Sequence, residues 1–307
     1  MQISVIICAH NPRPDHLARV LNALRQQTLS KDHWELLLVD NASKPSLNSA
    51  WDLSWHPNSR CVVEDQLGLA FARQRGIREA RADLLVFVDD DNVVDLDYLS
   101  QALQIKQEWP LLGVWGSGTT IPEFEVQPPK WLTDMISGVR NIKNPYWSNV
   151  RNCWDAMPWG AGVCVRAKVA EAYCDHLEQS AIQISDRKGK ELWGGGDTEI
   201  CMVACEAGFG MAVFPQLRLI HLISKERLTQ KHMVKFSEGL AASFILLEYK
   251  WAGIIPRSPF SLRAILSLGK NVLSRRGIER RIQFARWRGA ITAERIIDAS
   301  RKLPSTR

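Results

Sequence analysis

The sequence predicts an α/β protein with a buried, mostly parallel sheet covered by helices, followed by a basic helical appendage. Three observations predict it. The apolar runs Gln2–Cys8, Trp34–Val39 and Leu84–Val88 are continuous rather than alternating, the pattern of strands covered on both faces. Helical periodicity lies between them, which builds strand–helix–strand units with right-handed crossovers. Beyond Ser224 the pattern stays helical, with one break at Ile255-Pro256.

The elements follow in order. Gln2–Cys8 ends in His10-Asn11-Pro12, and Pro12 and Pro14 open a helix whose Leu17, Val20, Leu21 and Leu24 share one face. Trp34–Val39 is a second buried strand and runs into Asp40-Asn41. Arg60–Glu64 is a shorter third strand, Gly68–Ala82 a helix, and Leu84–Val88 a fourth strand that ends at Asp89. From Leu111 to Gly196 the periodicity breaks, and 7 of the 12 tryptophans lie between Trp109 and Trp193. Asp197–Ala207 then reads as a helix stopped by Gly208, and Met211–Phe214 and Leu217–Leu222 as two short strands. The expected organisation is one α/β domain over 1–225, with a regular strand–helix half (1–110) and an irregular half (111–225), and a basic helical region over 226–307.

Composition bounds the class. A chain of 307 residues, 46% hydrophobic and 23% charged, is that of a globular protein rather than a disordered one. Its seven cysteines have no Cys-x-x-Cys spacing, so a zinc site or disulfide framework is not expected, and a reducing cytoplasm fits. MQISVIICAH reads as a strand, not a signal peptide, and Leu240–Leu247 is too short to span a bilayer. The net charge of +6 is uneven. Residues 257–307 carry 13 Lys/Arg and 3 Asp/Glu, or +10, which leaves −4 on the body. Such a tail has two readings, a solvated helical face or a contact with an anionic partner. A membrane surface or a lipid-diphosphate acceptor fits that partner better than nucleic acid. Leu262, Ile265, Leu266, Val272 and Leu273 fall near one helical face flanked by Arg263, Lys270, Arg275 and Arg276. The expectation is that this face packs on the catalytic domain, with a peripheral contact at the inner face of the membrane as the alternative.

The polar residues collect where strands end. His10-Asn11, Asp40-Asn41 and Asp89-Asp90-Asp91 each follow a buried strand, and in an open α/β sheet that edge binds ligands. Three adjacent carboxylates repel one another unless a cation sits among them. A hard divalent ion, held by one or two carboxylates and by substrate phosphates, answers that need. The competing reading is an acidic turn that caps the next helix near Asp95. Asp40, by itself, reads as a turn residue in DNAS. Trp193-Gly194-Gly195-Gly196-Asp197-Thr198-Glu199 leads a glycine run into a helix N-terminus. Asp197 there is either an N-cap or a general base. His221, by itself, is more often a satisfied core residue than a ligand.

Taken together, VIICAHNPRPDHLARVLNAL, WELLLVDNAS, GLAFARQRGI, LLVFVDDDN, GAGVCVRA and GGGDTEICMVACEAGFG resemble, in this order, the motifs of glycosyltransferase family 2. The resemblance covers about residues 1–225. It implies the GT-A fold, a nucleotide-binding three-layer sandwich, and an inverting, Mg²⁺- or Mn²⁺-assisted single displacement. His10, Asn11 and Pro12 would line the nucleoside pocket, Asp40 would contact the base, usually uracil, and Arg73 would sit near the donor. Asp89 would face the ribose with Asp90 beside it, and Asp91 would ligate the metal. Gly160 and Gly162 would shape the donor-sugar pocket, Asp197 would be the base, and His221 a metal or diphosphate ligand.

Two departures stand out. The family often has Gly-Glu-Asp where this chain has Gly195-Gly196-Asp197, so Glu199 becomes a second candidate for the base. Gln74 follows Arg73 where an Asn is frequent. Trp193 and Trp159 are the tryptophans best placed to pack on a sugar. The expected activity is sugar transfer from a nucleotide-sugar donor, UDP-linked by preference, to a glycan or lipid-linked saccharide. A sugar nucleotidyltransferase would want a glycine-rich basic loop after the first strand, and HNPRP has no glycine. A non-catalytic carbohydrate-binding scaffold has only the missing Glu in its favour.

Overall fold

The computed structural model describes residues 1–133, 139–182, 186–188 and 191–302. Strand β1 (Ile3–Ala9) and helix α1 (Pro14–Arg25) are followed by β2 (Trp34–Asp40), a short helix α2 (Leu47–Ala50), β3 (Ser59–Val63) and α3 (Leu69–Glu79). Then come β4 (Leu84–Phe87), β5 (Asn92–Val94), α4 (Tyr98–Glu108), the long β6 (Leu112–Phe124) and a one-turn helix α5 (Lys130–Thr133). After β7 (Arg140–Asn141), β8 (Tyr146–Ser148) and β9 (Val163–Arg166), helix α6 (Ala167–Gln179) leads to a small hairpin of β10 (Arg187–Lys188) and β11 (Glu191–Leu192). Helix α7 (Gly196–Glu206) and the long β12 (Gly210–Ile223) complete the sheet region. Three helices close the chain: α8 (Gln230–Ala252), α9 (Leu262–Leu273) and α10 (Gly277–Lys302).

The main sheet has the order β3-β2-β1-β4-β9-β6-β12-β5, with β7 on β6 and β8 on β12. Strands β3, β2, β1 and β4 are parallel, as their continuous apolar runs predict. Antiparallel ladders enter beyond β4, where β9 lies between β4 and β6, so the second half of the sheet is mixed. The first strands are buried on both faces. Ile3, Val5 and Ile7 join Leu36 and Leu38 in one core with Leu17, Val20, Leu21 and Leu24 of α1 and Leu99, Ala102 and Ile105 of α4. Ile6 and Val39 point the other way, against Gly76 of α3. Each fully buried aliphatic side chain contributes roughly 1.5–3 kcal/mol.

Two expectations change in detail. The broken middle contains a 13-residue strand, β6, whose first nine residues are buried. Met211–Phe214 and Leu217–Leu222 are one strand, β12, with a register shift between Phe214 and Arg218. Pro215 has no N–H to give the ladder, so the strand bulges there rather than ending.

The chain divides into two compact units. One is Met1–Glu178 with Asp197–Ser224, and the other is Gln179–Gly196 with Lys225–Arg307. The second unit takes in Gln179–Gly196 as well as the chain from Lys225 on. There Ser243 Oγ accepts from the Gly194 N–H at 3.2 Å, and the Gly239 Cα approaches the Leu192 carbonyl so closely that a Cβ would clash. Within the helical unit, Thr229 and Ser261 cap α8 and α9 through their hydroxyls, and Gly253 ends α8 in the left-handed region at φ 64°. Val272 alone of the predicted α9 face is buried; Leu262, Ile265, Leu266 and Leu273 are exposed. Among the described residues no helix is long and apolar enough to cross a membrane.

Candidate active site

The site grows from the ends of the parallel strands. At the end of β1, His10 Nδ1 lies 2.7 Å from the Asn41 carbonyl oxygen, so that nitrogen carries the proton and Nε2 accepts from the Asn11 amide at 3.0 Å. Asn11 holds φ 46°, its N–H donates to Ser43 Oγ (2.9 Å), and its Oδ1 accepts from the Lys44 N–H (2.8 Å). The His10-Asn11-Pro12 turn is thereby braced against the loop after β2.

Asp40 shapes that loop. It is 2% exposed, its Oδ1 accepts from the Ser43 N–H (2.9 Å), and its Oδ2 accepts from Ser46 Oγ (3.0 Å) and the Leu47 N–H (2.9 Å). Burial raises its pKa, but these donors outweigh burial and the net shift is downward. Asp40 is thus the acceptor that closes the DNAS turn. Next to it Asn41, which the sequence reading left without a role, donates to the Glu64 and Gln66 carbonyls and accepts from the Gly68 N–H. It thus ties the start of α3 to the strand ends.

Helix α3 brings in Arg73, which is 4% exposed. The Cys8 thiol, near the end of β1, has its pKa pushed up to about 12. Burial is the main cause, Arg73 opposes it, and Asp89 and Asp90 add to it. One thiol thus feels Arg73, Asp89 and Asp90 together.

The triple carboxylate forms the turn between β4 and β5. Asn92, 1% exposed, donates through Nδ2 to Asp89 Oδ2 (3.1 Å) and to Asp91 Oδ1 (3.0 Å). Strand β5 pairs antiparallel with β12 so that Asn92 stands opposite His221, and the Leu222 N–H donates to the Asp91 carbonyl at 2.8 Å. This register sets His221 Nε2 3.5 Å from Asp91 Oδ2, across 130 residues of sequence. His221 is therefore a rim residue facing the acidic turn, not a core histidine.

Among the described residues, no three His, Cys, Asp or Glu side chains gather so as to hold an ion by themselves. One carboxylate and one imidazole, both part-exposed, would leave the remaining positions of a divalent ion to water and phosphate oxygens, with the carboxylate the harder donor of the two. The donor set fits the expected Mg²⁺ or Mn²⁺ on those terms.

The turn before β9 is tightly built. The Tyr98 hydroxyl donates to the Gly162 carbonyl (2.6 Å) and bonds Ser117 Oγ (2.9 Å). Gly162 holds φ +69°, and a Cβ there would overlap Tyr98, so only glycine fits. A Cβ at Gly160 would lie 2.9 Å from Arg73 Nη2 and 3.7 Å from Asp197 Oδ2, which places Gly160 beside both groups.

Asp197, at the start of α7, accepts the Gly160 N–H on Oδ2 (2.9 Å) and the Thr198 N–H on Oδ1 (2.9 Å). Glu199 points another way, since two residues on along a helix face nearly opposite directions. It is 0% exposed, with Oε1 3.7 Å from His176 Nε2 on α6.

Arg140 is a residue that sequence reasoning missed. Its guanidinium lies 4.2 Å from the Trp159 ring centroid, and Nη2 donates to the Met157 carbonyl at 3.1 Å. Burial lowers its pKa, with Cys201, Asp155 and Asp197 opposing. Trp159 is thus covered on one face by a cation. Trp193, the other candidate for sugar packing, belongs to the Gln179–Gly196 segment of the helical unit.

Residues 4–156, which hold the strand ends, the acidic turn and Arg73, match the family model described as Glycosyl transferase family 2. The chain belongs to this family.

It is similar to the glycosyltransferase AglE of Haloferax volcanii, 33% identical over 97 residues, which is 29% of this chain and 30% of that protein. It is also similar to the putative glycosyltransferase EpsH of Bacillus subtilis, 28% identical over 104 residues, 33% of this chain and 29% of that one. The matched segments thus span less than a third of these relatives. Among solved structures, S. aureus TarS 1–349 in complex with UDP superposes with a TM-score of 0.50 at 14% identity, over 100% of this chain and 93% of that one. S. aureus TarS gives 0.50 at 13% identity, over 97% and 55%. At such identity the likeness concerns the fold, which is the GT-A α/β fold.

Proposed function

We propose that this family 2 member is an inverting glycosyltransferase that moves a sugar from a nucleotide-sugar, UDP-linked by preference, to a hydroxyl of a glycan or lipid-linked saccharide. The observation that carries the reading is the convergence of Asp91 with His221, and of Gly160 with Arg73 and Asp197, from five separate stretches of sequence. Asp91 stands in the turn after β4, at the strand-end rim where an α/β sheet receives a nucleotide.

The chain's own residues divide the work. His10, Asn11 and Pro12 line the nucleoside side. Asp40 and Asn41 hold that wall in shape from behind, rather than reaching the base themselves. Asp89 faces the ribose with Asp90 beside it, and Asn92 fixes the angle between Asp89 and Asp91. Asp91 and His221 would hold Mn²⁺ or Mg²⁺, which when bound supplies positive charge to the diphosphate leaving group. Arg73 adds a second, buried positive charge beside Gly160.

The acceptor oxygen attacks the anomeric carbon, and the bond from that carbon to the phosphate oxygen breaks. The nucleoside diphosphate leaves with the electron pair, and the acceptor proton passes to an Asp197 carboxylate oxygen. Two backbone N–H groups hold that carboxylate in place, and each oxygen keeps a lone pair for the proton. Attack opposite the leaving group inverts the anomeric centre. The test is release of nucleoside diphosphate from UDP- and GDP-sugars, with and without EDTA. Turnover of a UDP-sugar that stops in EDTA supports the reading. No release from any nucleotide-sugar would sink it.

A further inference from the structure

Helix α9 carries two apolar stripes. Ala264, Leu268 and Val272 recur every fourth residue and are inward, with Val272 buried. Leu262, Leu266 and Leu273 lie on the opposite side with Ile265 beside them, and they are 74%, 64%, 84% and 48% exposed. At 100° per residue these four span an arc of roughly 100°, and Lys270 and Arg263 stand along one edge of it.

The segment that carries this face has charge of one sign. From Gly253 to Arg276 the sequence has Arg257, Arg263, Lys270, Arg275 and Arg276 and no Asp or Glu. The segment that leads into α9 is fixed to its neighbours. The Trp287 indole N–H donates to the Pro259 carbonyl at 3.1 Å, and Phe260 meets the Trp287 ring edge-on at 5.7 Å. The exposed stripe is therefore a held surface of a capped helix.

We propose that α9 lies in the interface of an anionic lipid bilayer, with Leu262, Ile265, Leu266 and Leu273 among the acyl chains and the five cations on the headgroup phosphates. Charge complementarity selects this occupant. A second copy of the chain would bring five positive charges against five, whereas an anionic surface neutralises them and receives the leucines at once. The long Lys and Arg stems keep their charged ends in the headgroup layer while the helix sinks.

Co-sedimentation of the full chain with vesicles tests this. The vesicles are phosphatidylcholine alone, or equal parts phosphatidylcholine and phosphatidylglycerol. Binding is expected on the anionic vesicles only, weakening as salt rises. Each basic residue near such a surface contributes roughly fivefold to partitioning, so Arg275→Gln/Arg276→Gln should lose about 25-fold. Leu266→Glu/Leu273→Glu should lose more, with an unchanged circular dichroism spectrum because both positions are exposed. Absence of binding, equal binding to neutral vesicles, or full binding by the leucine variant would each overturn the proposal. So would a dimer that the leucine variant dissolves while neither protein binds vesicles.

Discussion

Replacing Asp197 by Asn separates two roles that its position at the start of α7 confounds. As a helix-terminal brace, Asp197 accepts one N–H on each oxygen, from Gly160 and from Thr198, both at 2.9 Å. Asparagine keeps one acceptor and is itself a good N-terminal residue, so the loss is one hydrogen bond, about 1–2 kcal/mol. In a domain of this size that lowers the melting temperature by only a few degrees, roughly 2–4 °C per kcal/mol. As the base, Asp197 contributes about 10²–10⁴-fold to turnover, or roughly 3–5 kcal/mol at the transition state.

The two roles therefore predict different assays. Turnover of Asp197→Asn should fall at least a hundredfold at a temperature where the variant is fully folded, with donor binding by calorimetry unchanged. Asp197→Ala should lose both N–H partners and unfold several degrees earlier, with no further loss of turnover. Retention of more than a tenth of wild-type turnover by the Asn variant would refute the base assignment. Asp197 would then be a brace and nothing more.

Two further predictions concern stability. Gly162→Ala places a side chain at φ +69° against the Tyr98 hydroxyl and 3.0 Å from Leu219 Cδ2. The left-handed backbone costs about 1–2 kcal/mol and a displaced buried tyrosine about 1–3, so urea denaturation should show a loss of roughly 2–5 kcal/mol. A loss below 1 kcal/mol would contradict this.

His56 is 1% exposed between Trp34 and Trp55, and its Nδ1 accepts the Asn58 N–H. Burial, with Lys31 adding to it, lowers its pKa from 6.5 to about 4. The unfolded chain then binds the extra proton first, so this contribution is complete above pH 6.5 and is lost as pH falls towards 4. It amounts to at most about 3 kcal/mol. The slope of stability over that window should flatten in His56→Gln, and an NMR titration that put His56 near 6.5 would contradict the account.

The parts of the fold that were legible in the sequence were those governed by local pattern. Unbroken apolar runs ending in His10-Asn11, Asp40-Asn41 and Asp89-Asp90-Asp91 marked parallel strands and their binding rim. The parts that were hidden depend on distant partners. Strand β6 shows no clear period because Gly113, Gly116 and Gly118 interrupt it, yet side chains there would meet Phe209, Pro158 and the Phe214 backbone. Pro215 split β12 on paper, but a bulge absorbs it. The migration of Gln179–Gly196 to the helical unit rests on contacts with α8 some fifty residues on.

In the candidate site the same division holds. His221 looked like a core residue until the β5–β12 register set it against Asp91. Glu199 looked equivalent to Asp197 in DTE, but helical geometry turns it inward to His176. Arg140 carried no motif at all. Its closeness to Trp159 comes from the return of the chain through β7, which no spacing rule in the sequence encodes.

On the proposed function, the Asp91–His221 corner receives the diphosphate of a nucleotide-sugar together with a divalent ion. Thermal unfolding of the whole chain with UDP-sugars, with and without Mn²⁺, tests it most directly. A ligand at 100 times its Kd adds about 2.7 kcal/mol to the folded state alone. The account predicts a rise of several degrees with UDP-sugar plus Mn²⁺, little with either by itself, and none in Asp91→Asn. An equal rise in Asp91→Asn, or no rise with any nucleotide-sugar, would contradict it.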